Sequence, residues 1–317
     1  MMVHDNKCVR NFFDLKTLPF DDACITIGNF DGVHKGHQAI IAKMVNHSKR
    51  SNRQVLVVTF FPNPADYFNP NRNSFYLSTP QEREALLLKN GVDQVITFKF
   101  DRDFANLSPE SFLSGLKEKL GLSVLVVGYD FALGKNRRGT FDVIKDISHE
   151  LDFVVEMIDP LNLGDKAISS TLIRNQLDKG DMLSVREMLG RYYAISGIVE
   201  HGSNRGAKMG LPTTNISHWP HKKLPAVGVY ATLVNVWGEK YWGITNVGFR
   251  PTFENQDKPN IETFIMNFEG DVVGENLTIE FVKKIREEHK FNCVEDFLTQ
   301  IEKDKLTAQR ILNGAEI

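Results

Sequence analysis

The sequence predicts an α/β half followed by an all-β half: a doubly wound parallel sheet over residues 1–187, then a small antiparallel β-barrel with a closing C-terminal helix over residues 188–317. Three observations carry this. The chain has 317 residues, more than one usual core and suited to two domains. As far as Gly190, short apolar runs alternate with helical patterns. Beyond it, short β-rich runs separated by Gly, Asn and Pro take over.

Each stretch of the first half fits this grammar. "ACITIG" precedes "GHQAIIAKMVNHSKR", where Ile40, Ile41, Met44 and Val45 recur at helical spacing and basic residues suit the C-terminal end of the helix dipole. "QVLVVTF" is rich in β-branched residues and too short for a globular helix, so it predicts a buried strand. "TPQEREALLLKNG" opens at a Thr cap beside Pro, carries acids in its first turn and stops at Gly91. "VDQVITF", the helical "SPESFLSGLKEKLG" and "SVLVVGYDF" continue the alternation.

"MLSVREMLGRYY" predicts a helix that ends at Gly190 and hands over to the first barrel strand. "YYAISGIVEHG", "GVYATLVNVWG", "KYWGITNVG", "IETFIMNF" and "LTIEFVKKIR" follow as strands. The last segment, "CVEDFLTQIEKDKLTAQRILNG", returns to helical periodicity, with Phe297, Ile301, Leu306 and Ile311 expected near the face that packs on the barrel.

Composition narrows the function. Charged residues make up 25%, the formal net charge is -2, and no basic block offers to neutralise a nucleic-acid backbone, so nucleic acid is not expected as a partner. Cys8, Cys24 and Cys293 lack the even count of a disulfide framework and the spacing of a metal knuckle. No stretch has the signal-peptide or membrane-span pattern, and a cytoplasmic protein is expected.

The stretch "ITIGNFDGVHKGH" departs from ordinary strand-to-helix connections, placing His34 and His37 among Gly28, Gly32 and Gly36. At the carboxyl end of a parallel strand, such a turn lets a polyphosphate approach a helix N-terminus. It is neither a Walker loop nor a G-x-G-x-x-G fingerprint. Two imidazoles there can donate to a phosphoryl group under attack. Zinc ligation, or solvation at a helix start, is the alternative reading of a bare HxxH.

With its neighbours, "GNFDGVHKGH" (Gly28, Asn29, Phe30, Asp31, Gly32 and onward) resembles the signature of nucleotidyltransferases, and "ISSTLIR" at Ile168 to Arg174 is similar to a second element of that superfamily. With "VVGYDFALG" between them, the order resembles the bacterial bifunctional riboflavin kinase/FAD synthetases. That resemblance implies an FMN adenylyltransferase over residues 1–187, a nucleotidyltransferase domain in which the glycine-rich loop receives ATP phosphates and His34 and His37 steady the α-phosphate. It further implies that Ser170, Thr171 and Arg174 hold the departing pyrophosphate, while Asn63 in "TFFPNP" and Asp130 and Phe131 line the cleft. Phe61 stands where the family often carries an acid, and Ala132 where it often carries an aromatic residue.

In the second half, "GAKMGLPTTN" is expected as a glycine-framed turn, whose hydroxyl and amide oxygens suit a hard cation and whose amides beside Gly206 and Gly210 suit phosphate; plain structural use is the alternative. Much of this half, including "NVGFRPTF" and "FVKKIREEHKF", resembles riboflavin kinase. By that resemblance residues 188–317 are the kinase, Thr213 and Asn215 assist magnesium and ATP, and Glu262 is the base. Arg250 and Arg286 are loop or phosphate contacts, and Val272 and Val273 replace a common Leu-Tyr pair. The implied substrates are riboflavin, FMN and ATP, the last as co-substrate with Mg2+, or Mn2+ as the alternative metal. The sequence is compatible with an oligomer and does not fix one.

Overall fold

A computed structural model describes residues 9–16, 22–69, 75–134, 137–200, 212–249, 259–291 and 293–314. The chain divides by compactness into two units, Met1–Ser169 and Ser170–Ile317.

The first unit runs β1 (Val9–Arg10), β2 (Ala23–Ile27), α1 (Lys35–Ser51), β3 (Gln54–Phe61), α2 (Pro64–Phe68), α3 (Pro80–Lys89), β4 (Gln94–Lys99), α4 (Arg102–Ala105), α5 (Pro109–Leu120), β5 (Leu122–Gly128), α6 (Phe141–Glu150), β6 (Val154–Ile158), β7 (Asn162–Leu163) and β8 (Lys166–Ala167). The first six strands form one sheet in the order β1-β4-β3-β2-β5-β6, and every pairing in it is parallel. Both faces are covered, which is why β3 is an apolar run without alternation, buried from Val55 to Phe60. Ile41 and Met44 of α1 are fully buried, with Ile40 and Val45 packed beside them. Helix α3 starts at a capping box, in which Thr79 and Glu82 each satisfy the other's backbone amide.

Strand order reverses at β2, which has β3 on one side and β5 on the other. The crevice at the carboxyl ends of β2 and β5 is therefore the topological switch point where open α/β sheets hold ligands. The loop Gly28–His34 leaves β2 at that point, and Tyr129–Asp130 leave β5 beside it.

The second unit runs α7 (Ser170–Lys179), α8 (Met182–Leu189), β9 (Tyr193–Glu200), β10 (Thr213–His218), β11 (Gly228–Val236), β12 (Glu239–Gly248), β13 (Asn260–Ile265), β14 (Asn276–Arg286) and α9 (Val294–Leu312). Its six strands close into an antiparallel barrel in the order β10-β13-β12-β11-β14-β9. The hydroxyls of Thr232, Thr245 and Thr263, all fully buried, hydrogen-bond in a chain at 2.9 and 3.0 Å, so these polar groups are satisfied inside the barrel. Helix α8 stops at Gly190, which takes the left-handed conformation with φ 72°.

Two expectations are corrected. Thr213, Thr214 and Asn215 begin strand β10 rather than a turn, because they pair with Phe264, Thr263 and Glu262 of β13. In α9, Leu306 is 56% exposed and lies off the packing face, which is formed by buried Asp304, Ala308 and Leu312 with the expected Ile311 packed beside them. Asp304 can be buried because Arg286 closes a fork on it, with contacts of 3.0 and 2.7 Å.

Candidate active sites

The loop after β2 is shaped by unusual backbone. Phe30, Gly32 and Val33 all have positive φ (48, 79 and 41°), a compact turn closed by Val33 N–H donating to Phe30 O at 3.1 Å. The turn delivers His34 to the N-cap of α1, where its Nδ1 accepts from the His37 amide at 3.4 Å. A neutral His34 therefore carries its proton on Nε2, leaving that N–H as a donor. The two rings stack, with centroids 3.6 Å apart and planes at 19°, and Phe30 packs on His37 at 4.8 Å. Gly36 leaves the ring room, since a Cβ there would lie 3.1 Å from His34 Nδ1, a tight contact. Burial, then the charges of His34 and Arg83, holds the His37 pKa well below the usual imidazole value. The pair stands at the positive end of a helix dipole, with burial disfavouring the charged form of His37.

Not every residue of the signature is free to touch a ligand. Asp31 is buried, and its carboxylate accepts from the Leu77 and Ser78 amides at 2.9 and 3.1 Å. The Gly32 amide donates to Ser78 Oγ at 3.0 Å and the Gly28 amide to Val58 O at 3.0 Å. Buried Phe30 serves packing. The sequence expectation of five phosphate-contacting residues in Gly28–Gly32 thus meets a loop in which several of these groups already hold the loop itself.

Arg83 was not anticipated from sequence. It is buried on α3 and donates to the carbonyls of Asn29, at 2.9 Å, and Phe60, at 3.3 Å, tying the ends of β2 and β3 together. A helical Arg flanked by Glu82 and Glu84 looks like surface charge, so only its burial distinguishes it.

Asn63 caps α2, its Oδ1 accepting from Ala65 N–H at 3.0 Å, directly after a cis Phe61–Pro62 bond. Asp130 is exposed at the carboxyl end of β5, whereas Phe131 packs against the core. Ser170, Thr171 and Arg174 lie in the first turns of α7, with Thr171 exposed and the other two half-buried.

In the barrel unit, Thr213 Oγ1 donates to Glu262 Oε1 across the β10–β13 seam. Asn215 stands opposite Glu262 in register and accepts from Asn260 Nδ2 at 2.7 Å. Thr213, Asn215 and Glu262 thus share one face and present only oxygen as metal donors, a set that fits a hard divalent cation such as magnesium. Among the described residues no group of three or more His, Cys, Asp or Glu could hold a metal. Arg286 is bound to Asp304. Gly206, Gly210 and Arg250 lie outside the described residues.

Comparison with known proteins follows the same division. Residues 19–172 match the FAD synthetase family and residues 189–312 match the riboflavin kinase family. The chain is 36% identical over 295 residues to a bifunctional riboflavin kinase/FMN adenylyltransferase of Bacillus subtilis (strain 168), covering 92% of both chains. It is 34% identical over 305 residues to that of Escherichia coli (strain K12), covering 96% of this chain and 97% of the relative. A crystal structure described as a macrolide-efflux protein from Streptococcus pneumoniae matches with a TM-score of 0.87 at 28% identity, covering 95% of this chain and 97% of that one. Among the described residues, no helix of this chain is long and apolar enough to cross a membrane. With both family matches in sequence order and relatives aligned over nearly the full length, the chain belongs to the bifunctional riboflavin kinase/FMN adenylyltransferase family.

Proposed function

We propose that residues 188–317 phosphorylate riboflavin with ATP to give FMN and ADP, and that residues 1–187 adenylylate FMN with a second ATP to give FAD and pyrophosphate. The observation that carries this assignment is that each compact unit holds its own constellation: the stacked His34–His37 pair in one and the Thr213–Glu262 hydrogen bond in the other.

In the adenylyltransferase, an FMN phosphate oxygen attacks the α-phosphorus of ATP, and the bond to the β-phosphate oxygen breaks. His34 and His37 donate to the α-phosphate oxygens, where negative charge grows in the transition state. The Gly28–Gly32 loop receives the ATP phosphates, its glycines letting the turn close against Phe30 and Leu77, while Asp31 acts on the loop. Asn29, Asn63 and Asp130 line the approach, with Phe131 packed on the core behind them.

In the kinase, Glu262 takes the proton of the ribityl hydroxyl as its oxygen attacks the γ-phosphorus, and ADP departs. Thr213 Oγ1 and Asn215 Oδ1 would hold magnesium, which when bound supplies charge neutralisation on the phosphates. Gly206, Gly210 and Arg250 complete the phosphate contacts, and Arg286 supports the site through α9. The enzyme works in the cytoplasm on small molecules, without nucleic acid.

A chromatographic time course with riboflavin, ATP and magnesium tests this. FMN should rise and then yield to FAD. Glu262→Gln should stop FMN formation and spare the conversion of supplied FMN, and His34→Ala should do the reverse. Equal loss of both activities in both variants would overturn the two-site assignment.

A further inference from the structure

We infer that Asn246 is a specificity-determining residue of the kinase site, its Oδ1 accepting a hydrogen bond from a ribityl hydroxyl of the flavin, with Glu288 as the positioning residue that aims it. This rests on the barrel being the kinase. Register places Asn215 of β10, Glu262 of β13 and Asn246 of β12 directly opposite one another, a row across three strands with the proposed base in the middle. Side chains opposite in register share a face. Asn246 is therefore the base's neighbour on one side, as Asn215 is on the other.

Asn246 Nδ2 donates to Glu288 Oε1 at 3.2 Å, while its Oδ1 is buried with no hydrogen-bond partner. Turning the amide over would set Oδ1 against the Glu288 carboxylate, oxygen to oxygen, so Glu288 fixes which end of the amide is left without a partner. Gly248 makes the contact sterically available, because a Cβ there would collide with Glu288 Oε1 and stand 2.9 Å from Asn246 Nδ2. A buried acceptor without a donor is uncommon in native proteins and calls for a donor that arrives from outside. The γ-phosphate of ATP brings only acceptors to this position. The ribityl chain brings several O–H groups, one reacting at Glu262 and a neighbour able to reach Asn246.

Steady-state kinetics of FMN formation by the full chain test the inference. A hydrogen bond present in both the bound and transition states acts on KM. Asn246→Ala should raise KM for riboflavin about three- to tenfold, the effect of losing one neutral hydrogen bond, with kcat and KM for ATP held within about twofold. Glu288→Ala should reproduce this, and Glu288→Gln, which keeps an oxygen for Nδ2, should restore a KM near wild type. Among flavins lacking single non-terminal ribityl hydroxyls, one should bind wild type and Asn246→Ala equally well.

An unchanged KM for riboflavin, a parallel rise in KM for ATP, or the absence of any equalising analogue would overturn the inference. If Asn246→Ala fails to fold, the Glu288 pair decides. Wild-type protein that makes no FMN would sink the kinase assignment itself, a failure distinct from these.

Discussion

The imidazoles of His34 and His37 lie face to face, 3.6 Å between ring centroids, at the first turn of α1. Burial disfavours the charged form of His37, and a second positive charge at that separation disfavours it further. Folding thus lowers the His37 pKa, while the unfolded chain titrates near its ordinary value of about 6.5. Between the two values the unfolded state binds the extra proton, so stability from this group is fully present above about pH 6.5 and is lost as pH falls toward the folded pKa. Urea unfolding of the first unit, followed by far-UV circular dichroism, should weaken between pH 7 and pH 5 in wild type. His37→Gln should show a shallower slope over that range; an identical slope would refute the assignment of that pH dependence to His37.

Asp31 gives a second prediction. Its carboxylate is the acceptor for buried amides at Leu77 and Ser78, so Asp31→Ala strands those donors. A loss of about 3 kcal/mol is expected, together with a fall of more than tenfold in FAD formation, because the loop carrying His34 is no longer pinned. FMN formation should be unaffected. The same time course reads both activities, and a variant of unchanged stability would show that water replaces the carboxylate.

The sequence made the alternation of β2, α1, β3, α3, β4, α5 and β5 legible because each apolar run there is buried on both faces and each helix carries its own stop or cap. It also exposed the histidine loop, where glycine and imidazole depart from ordinary composition. What it hid has a common cause. Strand β10 opens on Thr-Thr-Asn directly after Pro212, polar and turn-like in sequence, and becomes a strand only because β9 and β13 supply partners on both sides. Arg83 and Asp304 read as surface charge, and their burial is set by carbonyls and by an arginine distant in sequence. The Asn246–Glu288 contact joins residues 42 apart and has no local signature.

The Arg286–Asp304 fork supports a third prediction. The Asp304 side chain is almost wholly enclosed and that of Arg286 largely so, making removal of one partner worse than losing a surface pair. Asp304→Ala should cost about 3–5 kcal/mol by leaving the guanidinium uncompensated. Arg286→Lys should also destabilise, since an ammonium cannot reproduce the two-pronged contact. Trp219, Trp237 and Trp242 all lie in the second unit, so tryptophan fluorescence during urea unfolding reports on it directly. An unchanged urea midpoint in Asp304→Ala would contradict this account.

The phase of α9 yields a fourth. Asp304, Ala308 and Leu312 are spaced four apart and form one row against the barrel, whereas Leu306, two residues on from Asp304, is turned by about 200° to the solvent side. Hydrophobicity alone assigned Leu306 to the core face, because the row's true first member is a carboxylate that sequence patterns count as polar. Leu306→Gln should therefore change stability by less than about 0.5 kcal/mol. Leu312→Ala, which opens a cavity beside Ala308, should cost about 2–4 kcal/mol. Urea midpoints by tryptophan fluorescence compare the two directly, and a larger loss at Leu306 than at Leu312 would mean that the helix packs in the other phase.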